Sequence, residues 1–159
     1  MKSLNRGQSL IEMIVAIVII VTVIVALVGI ATLAVNRSRF AKEQAQARSF
    51  AQEGMEWVRA ERDKSWEVFR NRLGPPWGTE KTYCFNDPIM AWTAGACAGY
   101  DLVSVFKREA ILNTVALNAS CQGDGPNAKC VEVKITVSWQ EGGRTHKSEQ
   151  RTYLTEWQE

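Results

Sequence analysis

An α+β fold, with one long helix leading into a small antiparallel sheet, is what three features of this sequence predict. Met13 to Val35 is a run of 23 residues without a charge. The next stretch, Asn36 to Leu73, contains no proline and a single glycine, Gly54. Near the C-terminus, Val131, Val133, Ile135, Val137 and Trp139 alternate with Glu132, Lys134, Thr136 and Ser138, the period of a strand with one buried face.

The apolar run comes first. At a rise of about 1.5 Å per residue it forms a helix of roughly 34 Å, enough to cross a hydrocarbon core of about 30 Å. A buried helix of a soluble protein is the competing explanation. The remainder of a 159-residue chain is too small to enclose such a segment on all sides. A cleaved secretory signal has an apolar region of about 7–15 residues, shorter than this one. The segment is therefore expected to enter a membrane. Flanking charge does not orient it, because Lys2 and Arg6 precede the run and Arg37, Arg39 and Lys42 follow it. The four cysteines all fall in the C-terminal part and suit an oxidising compartment, which leaves the N-terminus cytoplasmic.

The second stretch continues the helix. Phe40, Ala47, Ala51, Gly54 and Val58 recur at spacings of three, four and seven, and Trp66, Phe69 and Leu73 extend the stripe. Gly74-Pro75-Pro76 is the expected stop. The whole helix would be about 60 residues and roughly 90 Å long. The organisation expected is thus a leader at 1–7, an apolar helix at 8–35, its amphipathic continuation at 36–73, and a sheet domain at 74–159.

Within that last region three or four antiparallel strands are expected, with the helix stripe covering one face. Val131–Trp139 is the clearest of them. Glu141-Gly142-Gly143-Arg144 is its turn and Arg144–Leu154 the returning strand. Leu102–Phe106 and Ala110–Leu117 alternate more weakly. Trp57, Trp66 and Trp139 fall on or beside core faces, whereas Trp77, Trp92 and Trp157 are unassigned. Cys84, Cys97, Cys121 and Cys130 allow three connectivities. Pairing of nearest neighbours, Cys84 with Cys97 and Cys121 with Cys130, is expected, and four reduced thiols are the alternative.

Composition narrows function. Nineteen basic and 17 acidic side chains leave a net charge of +2, no electrostatic case for a dedicated nucleic-acid binder. The basic pairs Arg37/Arg39 and Lys107/Arg108 are expected to be solvated surface charge rather than DNA contacts. The single histidine, His146, sits in a polar strand and is expected at the surface. No phosphate-binding glycine loop, nucleophile elbow or metalloprotease motif occurs. No catalytic residue, metal or cofactor is expected, and an enzyme is not. Gly123-Asp124-Gly125-Pro126-Asn127 reads as a turn before it reads as a calcium loop.

One residue breaks the pattern. Glu12 stands at the mouth of the apolar run, where an unpaired carboxylate is costly: about 2.5–3.5 kcal/mol at mid-bilayer and less towards the edge. A snorkelling side chain at a helix end is the plain explanation. Its context is more specific. Met1-Lys2-Ser3-Leu4-Asn5-Arg6-Gly7 is a short basic leader ending in glycine, followed by Gln8-Ser9-Leu10-Ile11-Glu12 and the apolar helix. This resembles the signal of type IV pilins and of the pseudopilins of type II secretion systems. The likeness covers residues 1 to about 66 and, less closely, the C-terminal Val131–Trp157, where it is nearest to bacterial minor pilins.

The resemblance implies a helix-plus-sheet pilin fold. It implies cleavage between Gly7 and Gln8 by a prepilin peptidase on the cytoplasmic face, with N-methylation of the new first residue. Gln8 departs from the phenylalanine usual there, and Gly29 stands where many pilins carry a helix-breaking proline. It further implies that Glu12 pairs with the N-terminal amine of a neighbouring subunit. The partners it implies are other pilin or pseudopilin subunits, the peptidase, a membrane assembly platform and, before assembly, the bilayer of the bacterial inner membrane. Removing Lys2 and Arg6 leaves 17 basic side chains against 17 acidic. The rival from another class is a monomeric, single-pass anchored binding domain with no processing.

Overall fold

The computed structural model describes residues 6–114 and 127–156, with side chains from Leu10 onward. The fold is α+β, as expected. Helix α1 spans Arg6–Lys64 and α2 spans Trp66–Arg70. Five strands follow: β1 Lys81–Cys84, β2 Thr93–Ala94, β3 Phe106–Thr114, β4 Cys130–Glu141 and β5 Arg144–Thr155. They form one antiparallel sheet in the order β2-β1-β3-β4-β5. The chain divides into two units, Met1–Lys42 and Glu43–Glu159, so the boundary lies seven residues beyond the end of the apolar run.

In the second unit the amphipathic stripe does what its period requires. Ala47, Ala51, Gly54, Met55 and Val58 of α1 are buried, at successive intervals of four, three, one and three. Facing them, Val131, Val133, Ile135, Val137 and Trp139 of β4 are all fully buried, and the residues between them point away. β3 contributes Phe106, Arg108, Ala110 and Leu112 to the same layer. Gly142 and Gly143, at φ +57° and +76°, form the two-residue connection of β4 to β5. Two successive left-handed residues are what the right-handed twist of a hairpin selects.

The expected bounds of three elements need correction. The helix is not continuous to Leu73. Ser65 adopts extended geometry, and its Oγ accepts a hydrogen bond from the Val68 amide at 3.3 Å, ending α1 and capping the short α2. Leu102–Phe106 is a tight reversal rather than a strand: Val103 and Ser104 lie at φ +51° and +60°, and only Leu102 and Phe106 pair. The strand expected over Ala110–Leu117 begins earlier, at Phe106, and its last three residues lie outside the described part. β1 and β2 are additions, both too short to show a period.

The unassigned Trp92 proves central. Its ring lies 5.0–5.4 Å from those of Trp57, Tyr83 and Phe85, and 6.1 Å from Phe69. Its Nε1 donates to Glu61 on α1 at 3.2 Å. His146 is not a free surface residue, since it stacks on the buried Trp139 with centroids 5.5 Å apart. Trp77 is half-buried, and Trp157 lies outside the described residues.

Arg108 is the largest departure. It is 1% exposed and passes beneath α1. Its Nε donates to the Phe85 carbonyl, and its Nη1 to the Phe50 carbonyl and to Glu53, each at 3.1 Å. Its backbone amide donates to Asn86 at 2.9 Å. Burial pulls the guanidinium below its ordinary value and Glu53 opposes that shift; arginine stays charged regardless. Gly54 makes the passage possible. A Cβ there would lie 3.2 Å from Arg108 Cδ and 3.3 Å from Ile135 Cγ2.

Two predictions follow from this packing. Gly54→Ala gains about 1 kcal/mol of helix propensity but must displace a side chain held by three hydrogen bonds. Overpacking of about 1–3 kcal/mol outweighs the gain, so chemical denaturation should show a net loss on the order of 1 kcal/mol. Glu53→Gln should lose less, because Glu53 is half-exposed and two backbone carbonyls remain for Arg108. Separately, Cys84 and Cys97 are joined, closing the β1–β2 connection over a sequence separation of 13. Replacing both by serine should lower unfolding stability by about 2–3 kcal/mol without changing the fold seen by circular dichroism.

Candidate assembly helix

The first unit is the amino-terminal part of α1. Every residue from Leu10 to Arg39 is exposed. For the apolar run this is the reverse of what water favours, because none of the described residues covers it. The helix is long and apolar enough to cross a membrane. Fifteen isoleucines, valines and leucines lie between Met13 and Val35. On an insertion scale they favour the bilayer by about 5–9 kcal/mol in total. Glu12, near the edge, opposes by less than about 3 kcal/mol. The sum favours hydrocarbon over water for this helix.

The local chemistry fits a water-free surrounding. Thr22 Oγ1 donates to the Ile19 carbonyl and Thr32 Oγ1 to the Val28 carbonyl, both at 2.8 Å, so neither hydroxyl needs a partner outside the helix. The helix runs unbroken through Gly29, where an added Cβ would meet nothing within 4 Å. Arg37, Arg39 and Lys42 follow as exposed cations at the end of the run.

Gly7 and Gln8 lie in the first turn of α1, and Glu12 is one turn beyond Gln8. Among the described residues Glu12 has no ion pair or side-chain hydrogen bond. The apolar run supplies no cation that could provide one. A carboxylate in this position can be satisfied in two ways: by reaching water at the membrane surface, or by meeting a positive group carried on a second helix.

The other sequence candidates lie in the sheet unit. Cys84 and Cys97 form a disulfide as expected. Cys130 is also disulfide-bonded, while Cys121 lies outside the described residues, as does Asp124 of the turn sequence. Arg108, expected as solvated charge, is interior and ties α1 to β3 and to the end of β1. A signal for this was present, since Phe106, Arg108, Ala110 and Leu112 share one face of a strand. Lys107 instead faces the other way and pairs with Glu109 at 3.3 Å. No family model, curated protein or solved structure matches the chain.

Proposed function

We propose that this chain is a filament subunit of the type IV pilin or pseudopilin kind, a minor one, made as a membrane-anchored precursor. The observation that carries the proposal is an apolar helix that no other described residue covers, whose one carboxylate, Glu12, has no ion pair among the described residues and follows a basic leader ending in Gly7. The precursor waits in the inner membrane, with its N-terminus cytoplasmic and its disulfide-containing sheet unit on the other side. Prepilin peptidase removes residues 1–7 and leaves an amine on Gln8.

That amine is the missing cation. Within one helix it is bound to the same element as Glu12. Between two helices it pairs with Glu12 of a neighbour and sets how far one subunit is shifted along the next, as a single buried polar residue sets register in a coiled coil. Extraction from lipid then exchanges one apolar surrounding for another, the helices of sister subunits, so the large insertion energy is not forfeited on assembly. The sheet unit, held on α1 by Arg108 and the aromatic cluster, is carried outward as a preformed body.

Coexpression with a prepilin peptidase tests this directly. Intact-mass measurement should show a chain shorter by the seven residues Met1–Gly7, with Gln8 at the new terminus. A full-length product beside an active peptidase contradicts the proposal. Glu12→Leu should be cleaved normally yet enter sheared filaments at least tenfold less than the parent, the scale expected for one member of a desolvated pair left alone. Equal incorporation of parent and variant would instead support an unassembled, anchored monomer.

A further inference from the structure

Cleavage after Gly7 would leave a chain whose first residue is a glutamine, Gln8. At a free N-terminus this residue type carries a nucleophile and an electrophile together. Its α-amine is able to close a five-membered ring on its own side-chain amide carbon. In the precursor the reaction is blocked, because the Gln8 nitrogen is part of the bond to Gly7 and its lone pair is delocalised into that peptide. Proteolysis alone removes the block.

The position makes the reaction consequential. From Gln8 to Asn36 there is no lysine, arginine or histidine, and the first cationic side chain, Arg37, lies 29 residues on. Along a helix that is about 43 Å. Once Lys2 and Arg6 have left with the leader, the α-amine is the one positive group at this end of the sequence. Glu12, one turn further, has no ion pair among the described residues. The helix itself is indifferent to the change. Residue 8 already belongs to α1, where its carbonyl is the acceptor for the Glu12 amide. Ring closure uses the α-nitrogen and the side chain and leaves that carbonyl in place.

We infer that Gln8 is a modification site at which a processed subunit loses its assembly charge, the α-amine cyclising onto the side-chain amide to give a pyroglutamyl end. The inference rests on the cleavage proposed above. The bond formed joins the α-nitrogen to Cδ, and the bond broken is Cδ–Nε2. The side-chain nitrogen leaves as ammonia and takes one proton from the α-nitrogen. No oxidant, reductant or co-reactant is consumed. An ammonium able to neutralise Glu12 of a neighbouring subunit becomes a neutral lactam that cannot.

The two fates exclude each other. An amine held against a carboxylate stays protonated and has no lone pair with which to attack. The ordinary pKa of an α-amine, about 7.7–8.0, is near neutrality, so an unpaired amine spends part of its time as the free base. Assembly therefore protects Gln8, and delay consumes it. The residue acts as a clock on processed subunits waiting in the membrane, and cyclised chains are excluded from the filament for want of a cation.

The test uses the full chain in filament-forming cells that also produce a prepilin peptidase. Synthesis is stopped, and membranes and sheared filaments are collected over the following hours. Intact-mass measurement with fragmentation at the N-terminus separates an open Gln8, with or without an added methyl, from one lighter by a single ammonia. The membrane pool should shift to the ammonia-loss form and hold it at several-fold the proportion found in filaments. Among shortened chains of the variant Gln8→Asn, whose ring would have only four members, residue 8 should show no such loss. A shortened parent chain that stays open in the membrane, methylated or not, overturns the modification and leaves processing intact. Equal proportions in membrane and filament overturn the exclusion of cyclised chains. Ammonia loss located at another residue, or persisting in shortened Gln8→Asn chains, overturns the assignment to Gln8. A full-length product overturns the cleavage, and the modification with it.

Discussion

A helix that its own protein leaves bare over its first half needs another apolar surrounding, and that requirement organises the rest of the molecule. From Leu10 to Arg39 no other described residue covers α1. Water is excluded as a resting place by several kcal/mol, and a bilayer or a bundle of like helices are the two environments that remove the deficit. Each has to deal with Glu12. A bilayer tolerates it near its edge, at the start of the apolar run. A bundle tolerates it only where a positive group is supplied, and proteolysis after Gly7 would supply one at the correct depth. In the proposed filament role, a single carboxylate would thereby discriminate between a resting state and an assembled one.

The second half of α1 meets the opposite demand. It holds a sheet against its buried stripe. Apolar contact alone between a helix stripe and a strand face is non-directional. Direction comes from Arg108, which rises from β3, passes through the gap left by the absent side chain of Gly54, and binds the carbonyls of Phe50 and Phe85. A shift of the helix by one residue would press a Cβ against the Arg108 side chain, whose Cδ lies 3.2 Å from where a Cβ at this position would sit. The aromatic group around Trp92 adds a second fixed point at the level of Trp57 and Glu61, and the Cys84–Cys97 bridge holds the β1–β2 connection behind it.

Much of this was legible in the order of residues. The charge-free run, the stripe through Ala47, Ala51, Gly54 and Val58, and the β4 alternation each repeat a single period long enough to be read. The Gly142–Gly143 turn announced itself because left-handed geometry has few occupants. What was not legible depended on contacts distant in sequence. Trp92 sits in a short stretch, Pro88-Ile89-Met90-Ala91-Trp92-Thr93-Ala94-Gly95, that shows no period, and only the fold brings Trp57, Phe69 and Phe85 around it. Arg108 looked like surface charge because it follows Lys107, and pairing adjacent residues concealed that a strand sends neighbours to opposite faces. The break at Ser65 was missed because its hydroxyl competes locally with a helix whose long-range pattern continues to Leu73. Glu12 is conspicuous in the sequence as an exception, and the role proposed for it would depend on a second chain.

The claim on which everything else depends is that the first half of α1 resides in lipid. Alkaline carbonate washing of membranes from cells producing the full chain tests it most directly, because the treatment strips proteins held by charge or by other proteins and leaves those embedded in hydrocarbon. The chain should stay wholly with the pelleted membranes before and after washing. Its release into the supernatant would show that Met13–Val35 finds its cover elsewhere, and would contradict the membrane-held precursor.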